Sequence, residues 1–261
     1  LTEPTSQPAF GTYAPSPWVK LLLALSQHTP LGRGQARRWI ASLLQKAHEG
    51  PLDSRLWGHP ARIHIGANNN EIKALLNPSR FNRSELDIMR RHLPRQGGVF
   101  VDIGANVGMV SLAARAHMES GTIVSIEPQP AMFARLAFNL EGAGPAGGVS
   151  HILIQAAIGP RPGRATLAVP DQPGMASLAA GLPDTTETVD VDVVTLAGLV
   201  REAGLEAIDV LKIDVEGYEG PVAAFRGRAG NALAPHRDHG ALPRPSLVTR
   251  RHRRPCRPRL P

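Results

Sequence analysis

A single cysteine, Cys256, occurs in the whole chain of 261 residues, which excludes an internal disulfide framework and any metal centre built from several thiolates. Long apolar runs are missing as well. The N-terminal WVKLLLAL at 18–25 contains Lys20 and falls far short of the roughly 20 residues that a membrane-spanning helix needs. The segment before it, TEPTSQPAFGTYAPSP, has neither the basic start nor the small-residue cleavage site of a signal peptide, so a soluble, cytoplasmic protein is expected. With one cysteine the ten histidines cannot complete a Cys₂His₂ or Cys₃His ligand set, and no metal site is assigned. A chain of this length can bury one sizeable core with extra elements, not two full domains.

Acidic residues nearly vanish after residue 225. Residues 226–261 hold ten Arg, no Lys and one acid, Asp238; this tail carries +9 in a chain whose total is +7, so residues 1–225 carry −2. With six prolines and no period of 2 or 3.6, the tail offers a fold nothing to bury and is expected to be disordered. Two origins compete: a basic arm that binds nucleic acid, or an out-of-frame reading of GC-rich DNA, which yields Arg, Pro, Ala and Gly. The first predicts a steep salt dependence that vanishes on deleting 226–261.

Patterned sequence begins after a loose Pro/Ser/Thr-rich leader at 1–17. Ile40, Leu43, Leu44 and Ala47 give 35–47 the stripe of an amphipathic packing helix, and LDSRLWGHPARIHI alternates like a strand pair near 55–65. Ser84 with Asp87 resembles a capping box opening a helix striped by Leu86, Met89 and Leu93. From 98 onward short β-rich runs alternate with helical ones. VFVDI, TIVSI, HILIQ and IDVLKID read as buried parallel strands, while RATLAV and TVDVDVV alternate strictly and read as an inserted antiparallel pair. The order predicts a doubly wound α/β fold, with the loops after Asp102, Ile126, Gln155 and Ile213 side by side.

Those loops carry the chemistry. A nicotinamide-binding turn needs G-x-G-x-x-G, whereas VFVDIGANVG places Asn106 where the second glycine would let a pyrophosphate approach. An NAD-dependent oxidoreductase is therefore disfavoured. A cofactor with a ribose and no phosphate fits better: Gly104 and Gly108 allow a tight turn, Asp102 can accept from an ammonium, and Glu127 at the end of TIVSI can accept from two ribose hydroxyls.

FVDIGANVG, SIEPQPAMFARLAFNL and LKIDVEGYE, in this order, resemble the three hallmarks of the FkbM family of S-adenosylmethionine-dependent methyltransferases. The resemblance covers roughly residues 55–225. It implies a Rossmann-like methyltransferase sheet whose cofactor core is 96–225, preceded by a leader and helices at 1–54. It also implies S-adenosylmethionine as cofactor and O-methylation of a hydroxyl on a small molecule, sugar or glycan. By the same resemblance Asp102, Gly104, Ala105, Asn106 and Gly108 would hold the cofactor's methionine end, Glu127 its ribose, and Gln155 and Ala156 its adenine. Asp214 and Glu216 would lie beside the transferred methyl as catalytic carboxylates; two acids so spaced could also ligate a metal, although no further carboxylate is placed with them. The likeness stops shortly after KIDVEGYEGPVAAF, where the composition changes. A frameshifted or truncated C-terminus is therefore expected, leaving the fourth strand as an open sheet edge and this chain as a methyltransferase of reduced or no activity.

Overall fold

The computed structural model describes residues 7–48, 50–65, 69–142, 148–169, 187–214 and 232–233. Helix α1 (Pro17–His28) opens on Ser16, whose Oγ accepts from the Val19 amide at 3.3 Å, and buries Val19, Leu22 and Leu23. A 3₁₀ turn (Pro30–Gly32) leads into α2 (Gly34–Ala47). Ile40 and Leu44 of α2 are buried but Leu43 is half exposed and Ala47 faces out, so its inner stripe is narrower than the sequence pattern predicts.

Strands β1 (Pro51–Leu56) and β2 (His59–His64) form the expected hairpin, closed by Trp57 and Gly58, both with positive φ as a two-residue hairpin turn requires. The pair also corrects the expectation of a loose leader. Asp53 and Arg62, opposite each other in the hairpin, form a buried ion pair at 2.7 Å. Asp53 Oδ2 accepts from the amides of Gly11 and Tyr13, and the Arg62 guanidinium donates to the carbonyls of Pro8 and Ala9 while packing over the Tyr13 and Phe138 rings. The leader is thus fastened from at least Pro8 onward. Helices α3 (Asn69–Leu76) and α4 (Arg83–His92) follow. The N-cap of α4 is Asn82, in left-handed conformation, rather than Ser84. Asn82 donates to Glu85 Oε2 at 2.8 Å, and Asp87 pairs with Arg83 and Arg90. Leu86, Met89 and Leu93 are buried as their stripe predicts.

The remaining elements are β3 (Gly98–Ile103), α5 (Met109–His117), β4 (Gly121–Ile126), α6 (Pro130–Glu141), β5 (Val149–Ile154), β6 (Ala157–Ile158), β7 (Gly163–Val169), β8 (Glu187–Val194), α7 (Leu196–Glu202), β9 (Val210–Ile213) and β10 (Ala232–Leu233). Five of the strands build a parallel sheet in the order β10-β9-β3-β4-β5. Phe100, Ile123 and Val210 pack on one face with α5, α6 and the N-terminal elements; Val101, Ile103, Val124, Ile126, Leu211 and Ile213 pack on the other with Leu196 and Leu199 of α7. Burial on both faces is why these strands read as continuous apolar runs. β7 and β8 pair antiparallel, as their alternation predicts, and β6 joins them as a third strand. Instead of an open edge at β9, β10 from the basic tail pairs with it over two residues. Among the described residues no helix is long and apolar enough to cross a membrane.

Candidate functional site

The sheet register sets four isoleucines level at its carboxyl edge: Ile213, Ile103, Ile126 and Ile154 are consecutive partners across β9, β3, β4 and β5. The next residue of each strand therefore emerges in one row: Asp214, Gly104, Glu127 and Gln155. Three backbone bonds hold the row, from Asp214 N to Ile103 O at 2.9 Å, from Gly104 N to Ile126 O at 3.0 Å and from Glu127 N to Ile154 O at 3.1 Å. The winding reverses between β9 and β3, so this row lies at the switch point where open α/β sheets bind ligands.

The turn after β3 needs left-handed backbone three times, at Gly104 (φ 73°), Asn106 (φ 53°) and Gly108 (φ 86°). Asn106 is a side chain type that tolerates this conformation, and its Oδ1 accepts from the Val107 amide at 2.9 Å. A Cβ on Gly108 would lie 2.7 Å from Leu136 Cδ1, so the glycine also lets α5 and α6 approach. Every amide of the turn is already committed: Gly104 and Ala105 donate to Ile126 O, Asn106 to Glu127 Oε2, Val107 to Asn106 Oδ1 and Gly108 to Ala105 O. Such a turn offers no nest of free amides to a pyrophosphate.

Acceptors dominate instead. Glu127 is buried, and its two oxygens accept from the Asn106 and Gln129 amides, leaving about half of a carboxylate's acceptor capacity for a ligand. Burial pushes its carboxyl above the usual range, and the two amide donors temper the shift. Gln155 is exposed beside it and Ala156 is buried.

Asp102 behaves differently from the sequence expectation of an acceptor for a ligand's ammonium. It is 0% exposed, and both oxygens are engaged within the protein: Oδ1 by Lys212 Nζ at 2.9 Å and Oδ2 by Ser111 Oγ at 2.7 Å. Ser111 continues to Ser125 Oγ at 2.8 Å, completing a sealed polar chain beneath the turn. Lys212, which the sequence analysis did not single out, is the centre of this arrangement. It donates to Gly104 O at 3.2 Å and lies 3.6 Å from Asp214 Oδ2. Burial alone would lower its ammonium's pKa, but Asp102, Asp214 and Glu85 outweigh burial and raise it, so Lys212 stays charged. The available signal was a lysine inside the apolar strand VLKI, which a parallel core tolerates only opposite an acid.

Asp214 stands at the rim with its side chain 43% exposed. Glu85 on α4 lies within electrostatic reach of Lys212, Asp102 and Asp214, and burial raises its carboxyl. Sequence patterning could not bring Glu85 here, since 127 residues separate it from Lys212. Glu216 lies outside the described residues. Among the described residues no three His, Cys, Asp or Glu side chains are grouped to hold a metal ion.

Residues 102–237 match the methyltransferase FkbM domain. The chain is also similar to 31-O-demethyl-FK506 methyltransferase FkbM of Streptomyces tacrolimicus, 33% identical over 155 residues that cover 50% of this chain and 60% of that protein. A second relative, Methyltransferase 1 of Beauveria bassiana strain ARSEF 2860, is 30% identical over 138 residues, covering 46% of this chain and 54% of the relative. The matches thus span little more than half the length of these relatives.

Proposed function

Because the chain belongs to the FkbM methyltransferase family, we propose that it transfers a methyl group from S-adenosylmethionine to a hydroxyl oxygen of a small molecule, sugar or glycan. The observation that carries this reading is the turn at 104–108, which has spent all its amides internally and presents acceptors at the sheet edge. That acceptor set suits a ligand with ribose hydroxyls and positive charge, and it does not suit a dinucleotide's phosphates. The cofactor, when bound, supplies a methyl carbon made electrophilic by its sulfonium.

The chain's own residues divide the remaining work. Glu127 accepts from the ribose hydroxyls. The backbone of Gly104, Ala105, Asn106 and Gly108 shapes the space for the methionine end, with Gln155 and Ala156 on the adenine side. Asp102 and Lys212 are positioning residues that brace the turn from below. Asp214, exposed at the end of β9 and held by Lys212, orients the acceptor hydroxyl and takes its proton as the oxygen–methyl bond forms and the carbon–sulfur bond breaks. Glu216, two residues on, is the second carboxylate of this proposal.

The test is a thermal unfolding scan of the full chain with S-adenosylhomocysteine and, separately, NADH. A ligand bound only by the native state raises the midpoint. The reading expects S-adenosylhomocysteine alone to do so, with Glu127→Gln reducing the shift. A cooperative transition indifferent to S-adenosylhomocysteine would overturn it.

A further inference from the structure

A cavity of about 210 Å³ lies among the 3₁₀ turn, α2, α3 and the entry to α4, away from the glycine turn. Four cationic residues line it, Arg33, Arg37, Lys73 and Arg80, together with Asn77 and Asn82, and its other lining residues are uncharged. None of the four cations forms an ion pair with an acid of the described residues. No Asp or Glu occurs from residue 4 to residue 48, and Glu71, the acid nearest Lys73 in sequence, is committed to a buried pair with Arg135.

Four like charges around one small volume repel each other, and an anion of high charge relieves that repulsion. Three of the four are arginines, whose planar fork matches phosphate oxygens bidentately. The wall is also braced: Asn77 Nδ2 donates to Gly32 O at 3.3 Å, and Asn77 Oδ1 accepts from Ser79 Oγ at 3.0 Å. We propose that this cavity is a binding site for a phosphate-bearing ligand. Asn82, at its edge, is held in turn by donating to Glu85 Oε2 at 2.8 Å. The inference stands independently of the methyltransferase reading.

The experiment is calorimetric titration of the full chain with inorganic pyrophosphate at low salt, beside the variants Arg37→Gln/Lys73→Gln and Arg80→Gln. Arg80 is exposed, so Arg80→Gln keeps the fold even if the double change does not. The site predicts saturable binding to one class of sites, weakened about 10-fold or more by the double change and measurably by Arg80→Gln, as loss of charge-assisted bonds implies. No saturable binding would overturn it. Equal affinity in the parent and both variants would do the same, since the anion would then be held by the Arg-rich tail. S-adenosylhomocysteine titrated in parallel separates the two proposals: pyrophosphate binding that needs Arg80, without S-adenosylhomocysteine binding, keeps the cavity and removes the methyltransferase reading.

Discussion

Lys212 Nζ sits 2.9 Å from Asp102 Oδ1 across a direct register pair of β9 and β3, with neither side chain more than 6% exposed. Two charges in the middle of a parallel sheet would be costly apart; together they fasten the glycine turn and the strand that leads into Asp214. Removing one partner leaves the other buried and uncompensated. Lys212→Met should therefore destabilise the fold by about 3–5 kcal/mol, and Lys212→Met/Asp102→Leu by clearly less than the sum of the single changes. Urea unfolding of the four chains of this cycle measures the coupling, and strictly additive losses would contradict it.

Glu127 gives a ligand-binding prediction with a pH signature. Its carboxyl is raised chiefly by burial, so acidification protonates it above the usual carboxylate range. S-adenosylhomocysteine affinity should fall as pH drops through that raised value, because a protonated carboxyl loses acceptor capacity. Glu127→Gln should weaken binding about 10- to 100-fold near neutral pH, the range for bonds to a charged group, and remove its part of the pH dependence. The stability sign is opposite: a raised carboxyl favours the fold at low pH, and that contribution is lost as pH rises through the folded pKa. Calorimetry at several pH values separates the two.

Gly108 couples the turn to the α5–α6 contact. Gly108→Ala places a Cβ at positive φ and 2.7 Å from Leu136 Cδ1, two penalties that together should cost about 2–4 kcal/mol. Adding Leu136→Ala would relieve the contact and not the backbone strain, at the expense of a cavity. Denaturant midpoints showing Gly108→Ala as stable as the parent would refute the close approach.

His64 and His151 are both held down to about 4, mainly by burial, with Arg135 and Arg62 adding to the first and Arg115 and His59 to the second. An unfolded histidine titrates near 6.5. Between about 6.5 and about 4 the unfolded chain binds protons that the native chain refuses, so this contribution is complete above the unfolded value and declines as pH falls. The raised carboxyls of Glu71 and Glu85 act in the opposite sense, so the measurement is a difference. The midpoint gap between the parent and His151→Leu should change in favour of the variant from pH 7 to pH 4.5. A constant gap would count against a neutral, buried imidazole.

Much of this protein was written locally. The apolar runs of β3, β4, β5 and β9, the alternation of β7 and β8, and the glycines and asparagine of the turn each act over a few residues. Period and backbone freedom are local properties, so sequence determines the doubly wound order and brings the loops after the four strands to one edge. The pairing register, by contrast, moves the ends of β3 and β5 by one residue, from Asp102 and Gln155 to Ile103 and Ile154, and sets Asp214, Gly104, Glu127 and Gln155 level. What only the tertiary structure decided is which polar groups meet. Asp102 reads as an available acceptor until Lys212, 110 residues later, closes over it. Pro8 and Ala9 read as loose leader until Arg62 reaches their carbonyls. Glu85 and the four cations of the N-terminal cavity carry no periodic signal, because charge pairing depends on distance in space, and distance is fixed only when the chain has packed.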